Sequence, residues 1–163
     1  MNTLFLITGG NIGNRKKNLQ TAAILIEKQI GKIIHSSKIY ETDAWGITDQ
    51  ASFYNQVHIV NSKLSAEEVI HIILKIEEKM GRIRTIKNAA RIIDIDILFF
   101  NSEIINEPNL IIPHPEIVNR RFVLMPLNEL APQMIHPAYG KSIKELLSTC
   151  KDPLKVIPLQ SLS

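Results

Sequence analysis

A chain of 163 residues, 45% hydrophobic and 21% charged, is long enough to bury one sizeable core and is neither fibrous nor disordered. Its formal net charge of +3 is too small for a protein that coats itself in polyanions, and no apolar run approaches the length of a membrane span. The single cysteine, Cys150, excludes an internal disulfide and fits a reducing, cytoplasmic setting for one domain over residues 1–163.

The opening MNTLFLITGG lacks the basic leader and cleavage pattern of a signal peptide, so Leu4 to Thr8 is expected as a first strand. The turn GGNIGN has neither a Gly-Lys-Ser/Thr ending nor dinucleotide-fingerprint spacing, and it reads as a tight strand-to-helix connection. Leu19, Ala22, Ala23, Ile26 and Ile30 recur at helical spacing and predict a helix over 15–30, stopped by Gly31. Lys32 to Glu41 reads as a second strand, TDAWGITDQAS as a loop, and Phe53 to Asn61 as a third strand.

Ser65, with Glu68 three residues on, is a capping box that starts a second helix, whose Val69, Ile72, Ile73, Ile76 and Met80 make one apolar stripe. Gly81 is placed to end it. The basic stretch RIRTIKNAAR follows; it is either a solvated connector or, since arginines recur and a guanidinium forks onto phosphate oxygens, an anion clamp.

Next comes RIIDIDILFF, residues 91–100, a buried-looking strand that carries two aspartates. Alternation puts Ile93, Ile95, Ile97 and Phe99 on one face and Asp94 and Asp96 on the other, with Cα atoms ~6.6 Å apart along the pleat. Two ionised carboxylates about 5 Å apart at an effective dielectric of ~20 repel by roughly 3 kcal/mol, a large share of a small domain's stability. A hard cation between them removes that cost, and Mg²⁺ favours carboxylates together with phosphate oxygens; the blander reading pairs the aspartates with nearby basic side chains.

A short extended piece is expected around Ile104 and Ile105. Pro108, Pro113 and Pro115 then make a rigid loop that fixes His114 ahead of a basic pair, Arg120 and Arg121. Arg121 to Leu130 is expected as a short helix, interrupted or bent near Pro126, and Ser142 with Glu145 starts a last small one. The order strand, helix, strand, strand, helix, strand is that of an α+β, ferredoxin-like (split βαβ) antiparallel sheet, with helices packed on one face and a site on the other.

Taken together, GGNIGNRKKNLQ, YETDAWGITDQASFYNQV, IEEKMGRIR, ARIIDIDILFF and IPHPEIVNRRFVLMPLNELAP resemble, in order and over nearly the whole chain, the 6-hydroxymethyl-7,8-dihydropterin pyrophosphokinases of folate biosynthesis. The resemblance implies a ferredoxin-like fold and transfer of the β,γ-diphosphate of ATP to the hydroxymethyl group of a reduced pterin, releasing AMP. It implies ATP as co-substrate and two Mg²⁺ ions on Asp94 and Asp96. It implies that Arg82 and Arg91 clamp the phosphates with help from Arg84, and that Glu77, Ile97, His114 and Arg120 line the nucleotide side. Phe53 and Phe122 would sandwich the pterin ring, while Asn55 and the segment carrying Thr42, Ala44, Trp45 and Gly46 read its edge. The partners expected are these small molecules and neither nucleic acid nor membrane, with the chain acting as a monomer.

The chain departs from the family pattern in two places. It has Gly9-Gly10-Asn11 where the family usually has Gly-Ser-Asn, and Ala89-Ala90-Arg91-Ile92 where Gly-Pro-Arg-Thr is common. An RNA-binding module of RRM-like architecture is the alternative from another class, since it shares the split βαβ sheet with basic loops; an inactive homologue is a third.

Overall fold

The computed structural model describes residues 1–43, 50–83 and 90–160. In chain order the elements are β1 (Asn2–Gly10), α1 (Arg15–Gln29), β2 (Lys32–Ser36), β3 (Tyr40–Thr42), β4 (Phe53–Ser62), α2 (Ala66–Lys79), β5 (Asp94–Phe100), β6 (Ile105–Glu107), β7 (Leu110–Ile112), α3 (Arg121–Leu130), α4 (Ile143–Ser148) and β8 (Val156–Pro158). One antiparallel sheet runs β5-β1-β4-β3-β8, with β2 also paired to β4, and β6-β7 form a separate ribbon. The expected α+β sheet is present.

Local chemistry accounts for the two long helices. Asn14 caps α1 by accepting from the Lys17 N–H, and Ser65 and Glu68 close the expected capping box on α2. Leu19, Ala22 and Ile26 of α1 and Val69, Ile73 and Ile76 of α2 pack with Leu4, Leu6, Val60, Ile95 and Ile97 on one face of the sheet. Gly81 takes φ +92, the left-handed conformation that ends a helix.

The opposite face is only partly open. There Phe5, Ile7, Val57, Ile59, Leu98 and Phe99 bury themselves against α3 and α4, so those helices cover the half of that face distant from Asp94. The expectation that Phe99 would share a face with the isoleucines is corrected. Leu6 pairs with Ile97 and Phe5 with Phe99, so Leu98 is an extra residue, a β-bulge. Beyond it the alternation inverts, turning Phe99 edge-on to Phe5 with centroids 5.7 Å apart and sending Phe100 to the α1–α2 side.

The expected strand Lys32–Glu41 is two strands. At the break, Ser37 is buried and its hydroxyl accepts from the Val57 N–H at 3.0 Å, so a side chain takes over a position in the ladder. β7, inside the expected proline-rich loop, and β8 were not expected. The helix α3 runs through Pro126 without interruption.

His58 on β4 is buried, with Nδ1 2.7 Å from the Ser36 hydroxyl and Nε2 without a partner among the described residues. Burial pushes its pKa down to about 4 from 6.5. The unfolded chain therefore takes up a proton that the folded one refuses, and stability falls as pH drops from 6.5 towards 4, by about 3 kcal/mol in full. Denaturant unfolding at pH 7 and pH 4.5 is expected to show a smaller difference for His58→Gln than for the wild type.

Candidate active site

Strand register brings the two aspartates together as alternation requires. Asp94 pairs with Gly9 and Asp96 with Ile7, and on the other side of β1 Gly9 pairs with Asn55. Asp94 and Asn55 thus flank a glycine on one face, and a Cβ at Gly9 would collide with the Asn55 side chain.

β5 is the edge of the sheet, so the Ile95 N–H has no strand to donate to. Glu77, near the end of α2 and 1% exposed, accepts it through Oε2 at 2.8 Å. The same oxygen accepts from Arg82 NH1 at 2.7 Å, and Arg82 NH1 also donates to Asp94 Oδ1 at 2.7 Å. Arg91 NH1 donates to Asp94 Oδ2 at 3.2 Å. Both oxygens of Asp94 are therefore held by guanidinium groups, the arrangement the blander reading described. The aspartates nevertheless remain on a cleft.

Asp96 has its carboxyl pushed up to about 7, first by burial, then by the Asp94 and Glu77 charges, against the pull of Arg82 and Arg91. Arg91 is itself fixed through its backbone, because its N–H donates to Asn11 Oδ1 at 2.8 Å and its carbonyl accepts from the Asn11 N–H at 2.9 Å. A Cβ at Gly10 would strike the Ile92 carbonyl, so a glycine at this position admits the close approach.

Three concavities meet at the aspartates. One cleft is lined by Thr42, Phe53, Asn55, Phe122, Arg91 and Asp94 among others. It adjoins another that holds Asp94, Asp96, His114 and Arg120. The third, an open groove past Asp96, is walled by Ile70, Ile97, Leu110, Ile111 and His114. Guanidinium carbons of Arg91 and Arg120 stand 5.5 and 5.7 Å over the rings of Phe53 and Phe122.

Thr42 leaves its hydroxyl oxygen buried and without a partner among the described residues. His114 is pinned by its N–H donating to the Leu98 carbonyl at 3.0 Å, and its Nδ1 accepts from the Glu116 N–H, which puts the neutral ring's proton on Nε2. Its pKa is lowered by burial and by Arg120, against the pull of Asp94 and Glu116.

Each expected site residue among the described ones lies on this connected cleft except Arg82, which meets it through Asp94, and Glu77. Glu77 is buried against β5 and joined to the cleft only through Arg82, so the expectation that it lines the nucleotide side is corrected. Ala44, Trp45, Gly46 and Arg84 lie outside the described residues. Asn11 was not anticipated, though its place after two glycines was a signal; Leu154, also on the cleft, gave none. An RNA-binding sheet would need this face free and positive, whereas here it carries two aspartates and is half covered by α3 and α4.

The donor set suits a hard cation. Among the described residues no group of three His, Cys, Asp or Glu could hold a metal. Two carboxylates beside arginines fit Mg²⁺, which shares its coordination with phosphate oxygens and water.

The family model described as 7,8-dihydro-6-hydroxymethylpterin-pyrophosphokinase (HPPK) matches residues 5–132. The chain is 38% identical over 147 residues to the 2-amino-4-hydroxy-6-hydroxymethyldihydropteridine pyrophosphokinase of Aquifex aeolicus, covering 89% of this chain and 90% of that one. It is 36% identical to the folic acid synthesis protein fol1 of Pneumocystis carinii, covering 86% of this chain but only 19% of that protein's length. The fold matches the crystal structure of Plasmodium falciparum HPPK-DHPS with a TM-score of 0.74 at 23% identity, over 91% of this chain and 43% of that one.

Proposed function

The chain belongs to the 7,8-dihydro-6-hydroxymethylpterin-pyrophosphokinase family, and from that premise we propose that it transfers the β,γ-diphosphate of ATP to the hydroxymethyl oxygen of 6-hydroxymethyl-7,8-dihydropterin. The observation that carries the reading is the placing of Asp94 and Asp96 between an aromatic slot and an apolar groove. A flat pterin lies in the slot against Phe53 and Phe122, with Asn55 and Thr42 reading its polar edge. The adenine lies in the groove by Ile97, and the triphosphate crosses the aspartates between them.

Asp94 and Asp96 would hold two Mg²⁺ ions, which would supply charge neutralisation at the phosphates. The arginines supply the rest. Arg82 and Arg91, which hold Asp94, turn to the phosphates as the nucleotide arrives, while His114 and Arg120 border the phosphate path. The pterin hydroxyl oxygen then bonds to the β-phosphorus as its proton passes to water, the bond from that phosphorus to the α,β-bridging oxygen breaks, and AMP leaves. Catalysis on this reading is positioning and electrostatic stabilisation.

The test is AMP formation from ATP with and without the pterin alcohol and Mg²⁺. AMP is expected only when all three are present; ADP as the product, or AMP formed equally without the pterin, would overturn the reading.

A further inference from the structure

The slot has a wall that the family match, ending at residue 132, does not reach. Leu154 lines it beside Thr42, Phe53 and Phe122. This residue comes from the segment between α4 and β8, which is fastened at both ends. β8 pairs with β3, setting Val156 opposite Thr42. At the start, the Arg121 guanidinium donates to the carbonyls of Cys150 at 3.0 Å and Asp152 at 3.3 Å.

Asp152, 8% exposed, returns the grip with both carboxylate oxygens. Oδ2 accepts from the Arg121 N–H at 3.0 Å and Oδ1 from the Leu154 N–H at 3.0 Å. The first bond is a helix cap made from a distance: Arg120, at the N-cap of α3, makes no side-chain cap bond, so Asp152 satisfies an N-terminal N–H and puts negative charge where the helix favours it. The second bond closes an Asx-type turn that seats Leu154. One buried carboxylate thereby fixes the spacing of two walls, Phe122 in the first turn of α3 and Leu154 in the arm.

We infer that Leu154 contacts the flat ring bound in the slot and sets how closely that ring is held, and that Asp152 is the positioning residue that keeps Leu154 and Phe122 at one spacing. The inference rests on the reading that the slot takes the pterin. Nucleotide binding is untouched by it, because Leu154 is absent from the apolar groove beyond the aspartates.

Calorimetric titration of the whole chain with the pterin alcohol, and separately with a non-hydrolysable ATP analogue, tests it. Leu154→Ala is expected to weaken pterin binding about tenfold, the effect of lost apolar contact in a fitted pocket, and to leave the analogue's affinity unchanged, with Leu154→Met restoring most of the loss. Asp152→Ala should raise the pterin KM with little change in kcat, and Asp152→Asn, which keeps one acceptor oxygen, should recover part of it.

Wild-type pterin affinity in Leu154→Ala, while Phe122→Ala loses binding, overturns the inference and leaves the slot reading standing. Wild-type affinity in Phe122→Ala as well overturns the slot reading itself. Equal losses for pterin and nucleotide in Leu154→Ala, with a lowered melting temperature, would show a role in folding alone. Should Asp152→Ala not fold, the Leu154 pair and Asp152→Asn still decide.

Discussion

Asp96→Asn is expected to cost diphosphate transfer about 10³-fold or more, the scale of removing a central electrostatic stabiliser, and at the same time to make the ligand-free protein more stable above pH 7. The two effects have one cause. A carboxyl raised to about 7 by burial, by Asp94 and by Glu77 carries a charge that the folded chain disfavours until a cation arrives. The sign follows from proton uptake. The folded protein holds the Asp96 proton more tightly than the unfolded one, so between pH 4 and 7 stability falls as pH rises, and above 7 the penalty is complete.

The asparagine variant escapes that penalty. Its advantage is on the order of a few kcal/mol above pH 7, read as a melting temperature several degrees higher, and it shrinks as pH falls towards 4. AMP release and thermal melts across that range measure both parts. Near-wild-type transfer by Asp96→Asn would remove this carboxylate from the proposed chemistry, whatever the melts show.

The paired aspartates were legible in the sequence because a strand has period two and because aspartate in a buried strand needs a reason. The same period failed four residues on. Nothing in ILFF announces the bulge at Leu98, since either alternation leaves apolar side chains buried and the sheet has a core on both faces. The split of the second strand was hidden for a related reason. A serine in a strand is unremarkable in sequence, and only the fold shows the Ser37 hydroxyl accepting a ladder N–H.

At the site, residue types with distinctive chemistry could be found and residues acting through position could not. Arg82, Arg91 and His114 stood out as charged or rigidly held groups, and the family resemblance supplied the slot's Phe53, Asn55 and Phe122. Leu154 is an aliphatic residue in a short segment without periodicity, and its role depends on Asp152 meeting Arg121 across 31 positions of chain. Asn11 works through backbone bonds to Arg91 and through its amide, which donates to Gln50 Oε1 and the Ala51 carbonyl at 3.0 Å each. Contacts between such distant positions carry no local pattern.

Arg82→Ala is expected to destabilise the ligand-free protein by about 2–3 kcal/mol, near the lower end for breaking a buried ion pair, because Arg82 itself keeps some exposure. The loss arises at Glu77, whose carboxylate is buried beside the edge strand β5 and would lose the bond from that guanidinium. Glu77→Gln in the same background should recover most of the stability, since an amide oxygen can still accept from the Ile95 N–H. Metal binding should move the other way. With Arg82 gone, Asp94 Oδ1 loses its donor, and Mn²⁺ titrated without nucleotide and followed by electron paramagnetic resonance should bind severalfold more tightly, while ATP binds more weakly. Unchanged or weaker Mn²⁺ binding would mean that the guanidinium does not shield Asp94 from cations. Opposite shifts would mean that the arginine occupies the cation's place until phosphate oxygens draw it away, so that metal and nucleotide enter the site favourably only together.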